Sequence, residues 1–128
     1  MKDLYSKLAL VQSLAPAVLS ATSTGTAIDL QGYDSAVACV ETGAIVSAGD
    51  FAFKLQESDT TTSGDFADVA AANIQGALPE TLEANSAYKL GYTGSKRYIR
   101  HVLTKAGGTS IAAGVTVIKG HGSDNPQA

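Results

Sequence analysis

Apolar and polar positions alternate along much of this chain, in short segments separated by turn residues at intervals of roughly 8–12 residues. The clearest segment is Phe51–Ser58, where Phe51, Phe53 and Leu55 share one face and Lys54 and Gln56 the other. Successive side chains of a strand point to opposite sides, so this pattern predicts a strand with one buried face. Ile28 and Leu30 flank Asp29 in the same way, and Tyr88, Leu90 and Tyr92 alternate with Lys89. Residues 96–105 divide into Tyr98, Arg100, Val102 and Thr104 on one face and Ile99, His101, Leu103 and Lys105 on the other. Ser35–Glu41 is apolar on both faces, as in a strand covered on both sides, and Thr42-Gly43 is read as its end. Ala106-Gly-Gly-Thr109 has the composition of a hairpin turn. The β-branched run Ile111–Ile118 follows it, with Gly114 as a bulge position.

Two stretches depart from this period. Leu4, Leu8, Val11 and Leu14 or Ala15 stand at helical spacing, which predicts a helix over 3–14 ended by Pro16. Such a helix would pack on the domain or serve as an arm docked on a neighbouring subunit. Leu8–Leu19 is apolar like the core of a signal peptide, but Asp3 lies where basic residues belong, and Gln12, Ser13 and Pro16 interrupt the run. It is also too short for a membrane span, so no export is expected. Between 59 and 86 a polar loop precedes Phe66, Val69, Ala70 and Ile74 at roughly helical spacing, with Ser63 or Asp65 as cap. This is read as a protruding helical or loop excursion. The fold class that follows is mainly β: a single-domain β-sandwich or jelly-roll-like barrel. Residues 1–22 form an N-terminal helix or arm, 23–121 the β-domain and 122–128 a polar C-terminal tail.

Composition narrows the picture. The 128 residues are 45% hydrophobic and only 16% charged, which leaves surface free to be buried in an assembly. Charge is unevenly placed: residues 1–85 hold three lysines against eleven acids, net −8, while 86–128 hold six Lys or Arg against Asp124, net +5. The two halves can neutralise each other across the sheet, or copies can meet head to tail or lie on an oppositely charged partner. Cys39 is the single cysteine, so no internal disulfide exists, and within Ala36-Val-Ala-Cys-Val40 it reads as a small buried hydrophobe.

Candidate chemistry is sparse. His101 and His121 are the only histidines, and no serine lies in a nucleophile elbow; His101 is placed at the tip of a strand face. Asp59, Asp65 and Asp68 do not match a calcium loop, and neither Gly91-Tyr-Thr-Gly94 nor Gly107-Gly108 has the ending of a phosphate loop. No enzyme activity, metal or cofactor is expected. Ser95-Lys-Arg-Tyr-Ile-Arg-His101 interleaves cations with an aromatic ring, but the acidic remainder of the chain would repel a polyanion, so nucleic acid is not the expected partner. A protein partner or an internal salt link explains that cluster better.

Four segments together resemble small structural proteins of tailed bacteriophages. They are the opening Met1-Lys-Asp-Leu4, then Ile28-Asp-Leu-Gln-Gly-Tyr33, Gly91-Tyr-Thr-Gly-Ser-Lys-Arg-Tyr-Ile-Arg100 and Val117-Ile-Lys-Gly-His121. The resemblance spans residue 1 to about 121, and some members of the group resemble capsid decoration or cement proteins. It implies a virion protein assembled in the bacterial cytoplasm, with the major capsid protein and copies of itself as partners and no membrane. Leu4, Leu8, Lys96, Arg97, Arg100 and His121 are the expected partner contacts, with Arg97 and Arg100 suited to bidentate pairing with capsid carboxylates. Two other roles fit the same size and strand content. One is a head–tail connector, tail-terminator or tail-tube protein; the other is a receptor- or glycan-binding β-sandwich, for which Tyr33 and Tyr92 are the candidate aromatics.

Overall fold

The computed structural model describes residue 5 and residues 8–122, with the side chains of 121 and 122 outside that set. Its strands are β1 (Leu8–Leu19), β2 (Ser23–Thr24), β3 (Ile28–Asp29), β4 (Tyr33–Val46), β5 (Asp50–Ser58), β6 (Ala67–Asp68), β7 (Ile74–Gln75), β8 (Ala87–Tyr92), β9 (Tyr98–Gly107) and β10 (Ser110–Gly122). The first half of the chain pairs antiparallel with the second as one long ribbon. β1 lies on β10, β2 and β3 lie on β9, β4 on β8, and β5 on β6. The ribbon is rolled so that β10 also meets β4 and β9 also meets β5. Two sheets result, β1-β10-β4-β8-β7 and β2-β9-β5-β6, with β3 beside β2 on β9. This is the strand order of a double Greek-key jelly roll, built as two packed sheets and not as a closed barrel.

The inner faces follow the period-two reading. Phe51, Phe53 and Leu55 of β5 are buried, as are Ile99 and Leu103 of β9, and Ile28 and Leu30 at β3. From the other sheet, Ala38 and Val40 of β4, Leu90 and Tyr92 of β8, and Ile111, Val115 and Val117 of β10 face them. Each large side chain so buried contributes about 1.5–3 kcal/mol.

The helix expected over 3–14 is absent: from Leu8 onward the segment is a strand along the edge of the first sheet. Leu4 lies outside the described residues. Two register shifts explain the misleading spacing, one between Gln12 and Leu14 and one between Leu14 and Ala17. Each adds a residue against β10, so Val11, Leu14 and Leu19 all pack toward the core at spacings that imitate a helix. Pro16 sits in the second irregularity, opposite Gly114. On an edge strand a missing N–H costs no ladder bond. The expected bulge at Gly114 is thus carried by its partner strand.

Three further boundaries move. β4 does not end at Thr42-Gly43 but continues to Val46, because β10 offers a partner for its whole length. Residues 106–109 do not form a hairpin. β9 and β10 belong to different sheets, and the chain crosses between them at Gly108. The helix expected around 66–74 is replaced by two single 3-10 turns, Ser63–Asp65 and Ala71–Asn73, and by the two-residue strands β6 and β7. β6 adds to the second sheet and β7 to the first, so the 59–86 excursion spans the sandwich from one sheet to the other. It is pinned there by Leu82, which is fully buried.

Candidate functional site

The basic segment 95–100 lies where the loop after β8 meets β3 and the start of β4. Its first part, Lys96 and Arg97, lines a polar cleft of about 410 Å³ with Gln31, Tyr33, Asp34 and Asp59, whereas Arg100 lies outside that cleft. Arg97 reaches Asp29 with both Nε (3.0 Å) and a terminal nitrogen (2.9 Å), a bidentate pair across the β3–β9 ladder. The guanidinium holds the Asp29 carboxyl at about 2, with the Gln31 amide assisting. Lys96 pairs with Asp59 at 2.9 Å, which raises the ammonium above its ordinary value. Arg100 donates to Gln56 (2.8 Å) and Ser63 (3.0 Å) and lies over the Phe66 ring at 4.3 Å. The arginines are therefore matched within the fold, Arg97 bidentate and Arg100 through amide, hydroxyl and ring.

The chain's charge split is partly a record of this pairing. Lys96 and Arg97 from the basic half meet Asp59 and Asp29 from the acidic half. These pairs are close to half exposed, so each adds little stability; their effect is to fix the loop's position. Of the other expected contact residues, Leu8 opens β1 opposite Gly120 and is half-buried. The side chain of His121 lies outside the described residues. Lys119, in the same strand, places its ammonium 4.5 Å from the Tyr33 ring.

The candidate glycan-binding aromatics are both engaged. Tyr92 is buried and donates its hydroxyl to Glu57 at 2.7 Å; burial, then that bond, raises its pKa. Tyr33 is covered by Lys119. Cys39 is not interior as expected but half-buried, facing out from β4, with burial pushing its thiol up from the ordinary value.

His101 does not tip a strand face; it lies inside the sandwich at 1% exposure. Its Nδ1 is 2.5 Å from the Ser13 hydroxyl of β1 and its Nε2 is 3.4 Å from that of Ser23 in β2. Phe53 stacks on the ring, and a side chain at Gly25 would collide with it. The imidazole thus links the two sheets through β1, 88 positions away, a pairing no local pattern announces. A Ser–His contact resembles part of a catalytic triad, but its other nitrogen meets a second hydroxyl and not a carboxylate. Among the described residues no group of three or more His, Cys, Asp or Glu converges as a metal site, and no helix is long and apolar enough to cross a membrane.

Burial lowers the His101 pKa below 6.5. Between the folded value and that of the unfolded chain the unfolded state binds more protons, so stability rises with pH in that window. Full stability is expected above about pH 6.5, with progressive loss as pH falls through the folded value. Urea midpoints measured between about pH 7 and 5 should slope for the native chain and flatten for His101→Gln. Equal slopes in the two proteins would refute this origin. Asp29, held at about 2, titrates well below the window.

No family model and no curated protein matches this sequence. Among solved structures, the fold is similar to a chain in a structure of infectious bursal disease virus, Gx strain, at 15% identity and a TM-score of 0.50. The match covers 94% of this chain and 34% of the viral one, so the chain spans about a third of that protein's length. At this identity the likeness is one of fold.

Proposed function

We propose that this chain is a non-enzymatic virion structural protein, a decoration or cement domain on a tailed-bacteriophage head. The observation that carries the reading is the jelly roll itself. Rolled-up sheets of this order are common in viral shells, the similar solved chain is viral, and the phage-like segments 28–33, 91–100 and 117–121 all lie in or beside its strands. The interior is in keeping with this reading, since the buried His101 imidazole is bonded to the hydroxyls of Ser13 and Ser23 and packs between the sheets.

In this role the domain would sit at a junction between capsid subunits and add buried contact area against internal DNA pressure. Weak individual contacts suffice, because many copies on one lattice reinforce each other. The polar cleft around Lys96 and Arg97 and the 59–86 excursion are the surfaces proposed to meet the major capsid protein. Quantitative mass spectrometry of purified particles, with a density map, tests this. The reading expects copies on the order of hundreds per head, located on the shell. A single small ring of copies at the head–tail junction would assign the connector role instead. Absence from particles would overturn both.

A further inference from the structure

The two outer faces of the sandwich differ in kind. Outside β5 and β9, Lys54, Gln56, Arg100 and Asp68 form a polar, internally matched surface. Outside β1, β10 and β4 the surface is less polar, built of small and aliphatic residues with few charges. Leu10, Ile118 and Val37 stand side by side across three strands, with Gln12, Thr116 and Cys39 in the next row. Leu10 is 67% exposed, and Val18 on the same edge strand is 70% exposed. We infer that this face is the contact between two copies of the chain, packed sheet on sheet about a two-fold axis.

Three observations select a second copy as the occupant. First, the charges on the face are Glu41 and Lys89. They sit on adjacent strands in neighbouring rows, since Glu41 is opposite Ala87 and Lys89 opposite Cys39. Neither makes an ion pair among the described residues, whereas Lys54, Lys96 and Arg97 all do. Adjacent opposite charges carry no net sign with which to choose an acidic or basic partner. They do complement their own image, because in an isologous contact Glu41 of one copy can meet Lys89 of the other and the reverse.

Second, the area suffices. Nine or so residues on each of β1, β10 and β4 and the six of β8, at about 3.3 Å per residue and about 4.8 Å between strands, give roughly 500 Å² per copy, so on the order of 1,000 Å² in total, the size of a weak, reversible interface. Third, growth at the sheet's long edge is obstructed. β1 carries Pro16 and two register shifts, which spoil strand addition, so the face and not the edge is left to associate.

The inference stands apart from the virion reading, because the purified full chain tests it. Sedimentation velocity across the micromolar range is expected to show a reversible dimer. Ile118→Glu should weaken it at least about tenfold, with an unchanged circular dichroism spectrum; if that variant misfolds, Leu10→Glu, at a position already exposed in one copy, decides. Lys89→Glu alone should weaken the dimer, and Lys89→Glu with Glu41→Lys should restore it. A native chain that stays monomeric into the hundreds of micromolar, a dimer indifferent to both apolar substitutions, or a charge swap that fails to rescue would each overturn the assignment. Particle copy number plays no part in these outcomes.

Discussion

Gly108→Val is expected to cost roughly 2–5 kcal/mol, a large share of the ~5–15 kcal/mol that holds a domain folded. Gly108 has φ +72° at the point where the chain leaves β9 for β10 and changes sheets. Left-handed backbone costs a side-chain-bearing residue about 1–2 kcal/mol. A Cβ here would also drive into the backbone of Ala48, and overpacking costs about 1–3 kcal/mol more. Ala48 cannot yield, because it lies in the 47–49 turn that carries β4 into β5, itself in the left-handed region at Ser47 and Ala48. That turn is held from both sides, by Val46 opposite Ser110 and Asp50 opposite Gly107. The two sheet crossings are therefore stacked at one end of the sandwich, each blocking the other's retreat. Gly107→Ala is the control: its φ is not positive and nothing lies within 4 Å of its Cβ position. Thermal melts should separate the pair by roughly 10 °C or more. Similar melting temperatures would mean that the crossing is not tightly stacked.

How legible these features were depends on where the constraint arises. β5 and β9 could be read because each has a large apolar face turned to the core and a polar face turned out, so period two survives along Phe51, Phe53, Leu55 and along Ile99, His101, Leu103. β1 could not, because its register shifts add residues that only β10 reveals. The crossing at Gly108 looked like a hairpin because glycine pairs serve both purposes; what distinguishes them is which sheet receives the next strand. Within the candidate site, the cations at 96–100 were visible as a cluster, but their partners were not. Asp29 and Arg97 are 68 positions apart and meet only because β3 and β9 are opposite each other in the ribbon. The charge split between the chain's halves was the one local trace of that ribbon. Early acids and late cations belong together because the second half folds back along the first. The less polar outer face escaped notice for a related reason: Leu10, Ile118 and Val37 come from three strands and share a row only once the register is known.

Leu82→Ala is expected to be the most damaging truncation within the 59–86 excursion, at about 2–5 kcal/mol. Leu82 is 1% exposed in a stretch whose neighbours are nearly all exposed, and it inserts between β4 and β5 where the sandwich would otherwise be open. Its own amide donates to the Phe51 carbonyl at 2.9 Å. Around it the backbone is latched to both sheets. Thr81 donates to Asp50 at 2.7 Å, Thr42 donates to the Glu83 carbonyl at 2.5 Å, the Ser86 amide donates to the Thr42 hydroxyl at 3.0 Å, and Asn85 donates to the Gly43 carbonyl at 3.0 Å. A site held this firmly cannot collapse when the side chain is removed, and the penalty for an unfilled cavity grows with the volume left behind. The loss should therefore fall in the upper part of the range. Leu78→Ala, at a half-buried position on the same excursion, should cost clearly less, since only part of its surface leaves water. Urea denaturation of the two variants gives the comparison, and hydrogen exchange at the Leu82 and Ser86 amides shows whether the latches open together. A Leu82→Ala cost below about 1 kcal/mol would mean that the excursion resettles freely. A cost at the upper end would make 81–86 the strap that joins β4 to β5, and the excursion a structural closure of the jelly roll.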